Sequence, residues 1–240
     1  MPKYNLLSSG STKIEKSNKL SDKYFSRIIY LAPDDLADGK RTLCPYAKVA
    51  KCNVPCLNTA GMGKFSNVQQ SRIRKSLLFL NDRQEFMRQL VQDVNKFLKE
   101  CDRLGKKPAL RLNGTSDIQW EHIEVDGYEN IFAMFPHIQF YDYTKIVARA
   151  YKPMPSNYHL TLSYSEADAD YAEQVLTAVR ETGVNAAVVF RDNLPKTFKG
   201  FRVVDGDKDD LRFLDPRGVI VGLKAKGDAK HDDTGFVIDA

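Results

Sequence analysis

Short apolar runs of strand length alternate with amphipathic helical patterns along most of this chain, and that alternation admits few folds. Runs at 27–31, 108–112, 138–141, 159–162, 186–190, 201–204 and 219–223 read as strands. Between the first two, Val68, Ile73, Leu77 and Leu80 recur at helical spacing over 67–80. Asp82, with Glu85 three residues on, forms a capping box for a second helix that runs to about residue 104. Its apolar stripe is Phe86, Leu90, Val94, Phe97, Leu98 and Cys101, and Gly105 with Lys106 and Lys107 stops it. A helix or turn is expected around Trp120 and over 128–135, and a further helix over 169–182 ends at Gly183. Strands separated by helices pair in parallel, so an α/β sheet covered by helices is expected. Residues 25–240 are read as a single α/β domain.

Several of these strands end in polar or charged clusters: RLNGTSD, YDYTK, SYSE, FRD and VVDGD. In α/β sheets functional groups gather at the carboxyl ends of the strands, because the loops there converge on one mouth. One composite site is therefore expected. Asp117, Asp142, Glu166, Asp192 and Asp205 are its candidate acid–base or cation-binding groups, although each alone is more often a cap or a surface charge. Arg111, Lys145, Lys224 and Lys226 are candidates for holding phosphate or carboxylate, against the plainer reading of solvated charge. Trp120, Tyr141, Tyr143 and Tyr164 belong either to the core or to a stacking surface.

The stretch 43–63, LCPYAKVAKCNVPCLNTAGMG, follows the first strand and holds three of the four cysteines. Pro45, Pro55, Gly61 and Gly63 make it a loop. Cys44, Cys52 and Cys56 stand in a C-x7-C-x3-C pattern, and three thiols on one loop can face a common point. An iron–sulfur cluster, a zinc site and a trio of core or redox thiols are the alternatives. A [4Fe–4S] cluster normally takes four thiolates, so three would leave one iron open to a small molecule. Zinc would need a fourth ligand such as His122, His137, His159 or His231. Cys101 reads as a core residue on its helix.

Composition bounds the rest. A chain of 240 residues with 42% hydrophobic and 28% charged residues has the balance of a globular protein with a sizeable core. No apolar run approaches the roughly 18 residues of a membrane span. The N-terminal sequence lacks the apolar centre of a secretory signal, so a cytoplasmic protein is expected, with its thiols reduced, metal-bound or catalytic. A net charge of +5 permits an anionic partner, nucleic acid included, without arguing for one. Residues 1–24 read as a polar N-terminal arm, in which Lys13, Lys16 and Lys19 are solvated or, alternatively, form an anion-binding loop. No Gly-x-Ser-x-Gly or phosphate-loop pattern is present.

The cysteine loop CPYAKVAKCNVPCLNTAG, the helix start NVQQSRIRKSLLF, RLNGTSD, YDYTK and the C-terminal DLRFLDPRGVIVGLKAKG together resemble the phage-encoded gene product eighty-eight family. That resemblance covers about residues 6–236 and implies no activity; it would place the protein in the host cell cytoplasm. More distantly, a three-cysteine loop after the first strand is similar to radical S-adenosylmethionine enzymes. The similarity implies an open, partial TIM-like (β/α) barrel with a cysteine loop after the first strand. It implies Cys44, Cys52 and Cys56 as cluster ligands, and Asn113, Gly114, Thr115 and Ser116 as contacts to S-adenosylmethionine. Asp142, Lys145 and Asp117 are then the candidate catalytic groups. The spacing departs from that superfamily's three-then-two pattern, and Pro55 stands where an aromatic residue is usual. The leading expectation is a cluster-dependent enzyme with a small-molecule ligand. The alternative is a zinc-stabilised, non-catalytic protein that binds a host factor or nucleic acid.

Overall fold

A computed structural model describes residues 3–8 and 11–240. Ser9 and Gly10, part of the stretch read as an arm or anion-binding loop, lie outside the described residues. The chain begins with a two-residue strand β1 (Leu7–Ser8), helix α1 (Thr12–Leu20) and the first long strand β2 (Tyr24–Ile29). The cysteine loop follows β2 and leads through short 3-10 turns into α2 (Ser66–Asn81) and α3 (Arg83–Leu104). Then come β3 (Lys107–Arg111), the short α4 (Ile131–Met134), β4 (Gln139–Thr144), β5 (Tyr158–Ser163), α5 (Ala169–Thr182) and β6 (Asn185–Phe190). Strands β7 (Thr197–Phe198), β8 (Phe201–Asp205), β9 (Ile220–Lys224) and β10 (Val237–Ile238) complete the chain.

All ten strands form one sheet in the order β1-β2-β3-β4-β5-β6-β9-β8-β7, with β10 pairing against β6. Every pairing from β2 to β8 is parallel, and the short end strands β1 and β7 are antiparallel. The expected α/β class and open parallel sheet are thus present. The strand order of a (β/α) barrel, even a partial one, is not: in this open sheet β9 lies between β6 and β8, out of sequential order. Backbone hydrogen bonding of β9 to both neighbours sets this order, and no local pattern in the sequence encodes it.

The long helix forms where its end signals put it. The Asp82 side chain accepts the Glu85 N–H at 3.0 Å, and Gly105 closes the helix in the left-handed conformation (φ 63). Phe86, Leu90, Val94, Phe97 and Cys101 are all buried, in one core with Leu110 of β3 and Phe140 of β4. Successive strand residues point to opposite faces, so Ala109 and Tyr141 pack on the other side, against Leu211. A second core joins α5 to β5, β6 and β9 through Val175, Leu162, Val188 and Ile220.

The stretch expected to be a solvated arm is built into the fold. Leu6 and Ile14 are buried, and the Leu6 N–H donates to Asp93 Oδ2 at 2.8 Å. Asn18 exchanges hydrogen bonds with the Ser26 backbone at 2.7 and 3.1 Å. Lys106 Nζ donates to the carbonyls of Asn18 and Ser21 at the end of α1. Polar side chains here satisfy backbone groups rather than water, which composition alone cannot reveal.

Candidate functional site

A cavity of about 970 Å³ opens at the carboxyl ends of the parallel strands. Arg111 of β3, Tyr143 of β4, Ser163 of β5, Val189 of β6 and Lys224 of β9 line its sheet side. The cysteine loop covers the mouth and is tied to the sheet at separate points. The Asp117 N–H donates to the Leu43 carbonyl at 2.8 Å, and Ser165 Oγ donates to the Ala50 carbonyl at 2.8 Å. Leu43, Ala47 and Ala50 are buried as its anchors. Lys51, in the left-handed region at φ 53, reverses the chain just before Cys52.

Cys44, Cys52 and Cys56 are half-buried, unpaired by disulfides, and all three line the cavity. Cys44 Sγ donates to the Thr115 carbonyl at 3.5 Å and Cys52 Sγ to the Ala47 carbonyl at 3.8 Å. Burial pushes the Cys44 thiol up to about 12 and raises that of Cys56 as well, while the Lys145 ammonium pulls both down. The three sulfurs in turn raise Lys145, against burial, which lowers it. Lys145 lines the same cavity as the three thiols. Among the described residues, however, no three His, Cys, Asp or Glu side chains are gathered into a ready coordination shell. None of His122, His137, His159 and His231 lines the cavity. Cys101 sits in the core on α3.

Asn113, Gly114, Thr115 and Ser116 line the cavity, as does Asp117. Their side chains are heavily engaged. Asn113 Oδ1 accepts from Ser116 Oγ at 2.9 Å, the Ile118 N–H at 3.0 Å and Trp120 Nε1 at 3.1 Å. Thr115 Oγ1 donates to the Leu31 carbonyl at 2.5 Å. A Cβ on Gly114 would come within 2.5 Å of the Ile29 carbonyl oxygen, so only glycine lets this turn lie against β2. Asp117 is buried; it accepts the Lys145 N–H at 2.8 Å and faces Arg149 at 3.6 Å. Burial raises its carboxyl, and Lys145 and Arg149 oppose the rise.

Asp142 is fully buried and does not line the cavity. Its carboxylate accepts the Asn113 N–H at 2.7 Å and Tyr158 Oη at 3.0 Å, and burial lifts it to about 7. Glu166 pairs instead with Lys199 at 3.1 Å, and Asp192 and Asp205 are exposed. Trp120, Tyr141 and Tyr164 belong to the core, whereas Tyr143 lines the cavity beneath the Arg111 guanidinium, 4.5 Å away.

Two further elements contribute to the site. The first turns of α1 bring Lys13 and Lys16 to the cavity; Lys13 pairs at 3.1 Å with Asp210, which also faces Arg111 at 3.3 Å. The sequence offers Lys13 and Lys16 as part of an anion-binding loop, whereas they reach the cavity from a helix. One face of α2 supplies Asn67, Ser71, Arg72 and Lys75. A helical spacing of three and four was visible there, but basic residues at such positions usually point to water.

The family model described as Gene product 88 matches residues 5–240. No curated protein and no solved structure matches the chain. No helix among the described residues is long and apolar enough to cross a membrane.

Proposed function

We propose that this chain, which belongs to the Gene product 88 family, is a phage enzyme that works through an iron–sulfur cluster held by Cys44, Cys52 and Cys56. The observation that supports it is the convergence of three thiols from one loop on a single cavity at the carboxyl ends of parallel strands. A scatter of core cysteines would not line one cavity, and the remaining cysteine, Cys101, is in the core.

The donor set suits the group in kind, since thiolate sulfur is the normal ligand of iron–sulfur clusters and no histidine stands in the cavity. It is not a preformed shell. The thiols of Cys44 and Cys52 rest on backbone carbonyls, so ligation requires them to lose protons and turn from those carbonyls. For Cys44 and Cys56, burial opposes the loss of the proton and the Lys145 ammonium favours it by stabilising the thiolate form. Asp117 holds the Lys145 backbone, and Arg149, anchored bidentately on Glu121 at 2.7 and 2.9 Å, faces Asp117 from behind. Lys145 is thereby held at the wall of the cavity that the three thiols line.

Cys44, Cys52 and Cys56 would hold such a cluster with one iron open to a small molecule, and the group would pass one electron, drawn from an external one-electron reductant, to S-adenosylmethionine for its cleavage. The chain's own part is to seat that ligand. Asn113 and Ser116 fix the shape of the 113–116 turn, whose residues line the cavity. Asp142 supports this turn from within the sheet and does not reach the ligand.

Anaerobic reconstitution with iron and sulfide tests the assignment. The wild-type chain and Cys101→Ser should gain visible thiolate-to-iron absorption. Ser replacement of Cys44, Cys52 or Cys56 should abolish it. Absorption that survives in all three variants would overturn the assignment.

A further inference from the structure

We infer that Arg72 and Lys75 form an oxyanion subsite on the α2 wall of the cavity, which takes the carboxylate or phosphate group of the small-molecule ligand. It rests on the cavity being a ligand site, and not on the cluster.

Both side chains are more than nine-tenths buried, at 6% and 7% exposure, and both line the cavity from one face of α2. Neither meets a carboxylate among the described residues. Arg72 donates one Nη to Asn58 Oδ1 at 2.6 Å and lies 4.7 Å over the Tyr30 ring, while its Nε is buried without a partner. Lys75 Nζ has one long bond, 3.4 Å, to the Asn5 carbonyl. The nearest acid to act on it, Asp93, is already taken by Lys96 at 2.9 Å and the Leu6 N–H at 2.8 Å.

The other cations of the cavity are accounted for. Arg111 and Lys13 share Asp210, and Lys226 holds Asp207 at 2.5 Å. Lys16 and Lys224 are exposed, and Lys16 Nζ donates to the Asp207 carbonyl at 3.1 Å. Lys145 has Asp117 and the thiols. Arg72 and Lys75 are thus a cationic pair buried one helical turn apart on α2 without a counter-ion among the described residues. Burial and the Arg72 charge together hold the Lys75 ammonium down to about 8. Burying unpaired charge is costly unless something neutralises it, and an oxyanion in the cavity does so for both at once. A guanidinium beside an ammonium supplies the donors that carboxylate and phosphate oxygens accept. Glycine at position 63 keeps this wall in place, because a Cβ there would lie 2.6 Å from the Asn58 carbonyl oxygen and 3.1 Å from the Arg72 Nη.

The full-length metal-free chain is titrated with inorganic phosphate and, separately, with acetate, and binding is read by calorimetry and by the rise in Tm. One of the two anions should bind, and which one does so separates a phosphate ligand from a carboxylate one. Lys75→Met should weaken that binding at least tenfold, and Lys99→Met, at an exposed lysine of α3 outside the cavity, should leave it unchanged. Circular dichroism should show Lys75→Met folded, with Lys75→Gln as the second variant. Absence of binding by both anions, equal binding by Lys75→Met, equal loss in Lys99→Met, or loss of the fold in both Lys75 variants would each overturn the subsite. Anion binding in a chain that takes up no iron would leave the subsite standing and remove the cluster.

Discussion

The Asn113 backbone N–H donates to Asp142 Oδ1 at 2.7 Å, joining a cavity-wall residue just past β3 to a carboxylate that β4 buries completely. From Asp142 the polar connections continue to Tyr158 at 3.0 Å, from there to Arg149 at 3.1 Å, and on to Glu121. A buried network of this kind holds the turn at 113–117 rigid, provided that every member keeps its partner.

The pH dependence of stability should report Asp142. Burial raises its carboxyl from 3.8 to about 7, so its contribution to stability is full below pH 3.8 and is lost as pH rises through about 7. Asp142→Asn removes this loss. Urea unfolding at pH 4, 6 and 8 should show the wild type losing on the order of 2–4 kcal/mol relative to the variant across that range. Parallel pH profiles would contradict the assignment.

The α3 stripe should carry large packing energies. Phe86→Ala and Leu90→Ala, at residues with no exposed surface, should each cost roughly 2–5 kcal/mol. Lys99→Ala, at an exposed position of the same helix, should stay within about 0.5 kcal/mol. Equilibrium urea melts measure all three.

Gly114 should tolerate no side chain. The Gly114 N–H donates to the Ile29 carbonyl at 2.9 Å, and an added Cβ would fall 2.5 Å from that oxygen and 2.6 Å from the Tyr30 ring. Gly114→Ala should lower stability by roughly 1–3 kcal/mol, the usual scale of overpacking, and thermal unfolding would show it.

These residues also mark what could be read without coordinates. The α3 stripe was legible because its 3.6 period and both of its end signals agree. The strand-end clusters were legible because loops at one end of a parallel sheet must converge, and RLNGTSD and YDYTK do meet at the cavity. Arg72 and Lys75 were not, since a basic residue on a helix reads as solvated until the tertiary fold buries it. The same blindness hid α1, whose polar residues serve backbone groups instead of water. Asp142 stood out as a candidate catalyst by its place in YDYTK, but strand alternation turns it inward, away from the cavity. The position of β9 between β6 and β8 depends on long-range pairing alone.

If S-adenosylmethionine is the ligand, reconstituted wild-type protein should bind it in calorimetry, and the paramagnetic spectrum of the reduced cluster should change on its addition. Cys52→Ser should bind it at least tenfold more weakly. A cluster whose spectrum ignores S-adenosylmethionine would limit the site to a structural or electron-carrying role.

The central claim is most directly tested by metal and acid-labile sulfide analysis of the protein purified without exposure to air. The three-cysteine loop predicts a brown protein with about four irons and four sulfides per chain, as a [4Fe–4S] cluster requires. A colourless protein that carries one zinc per chain and no sulfide would contradict it.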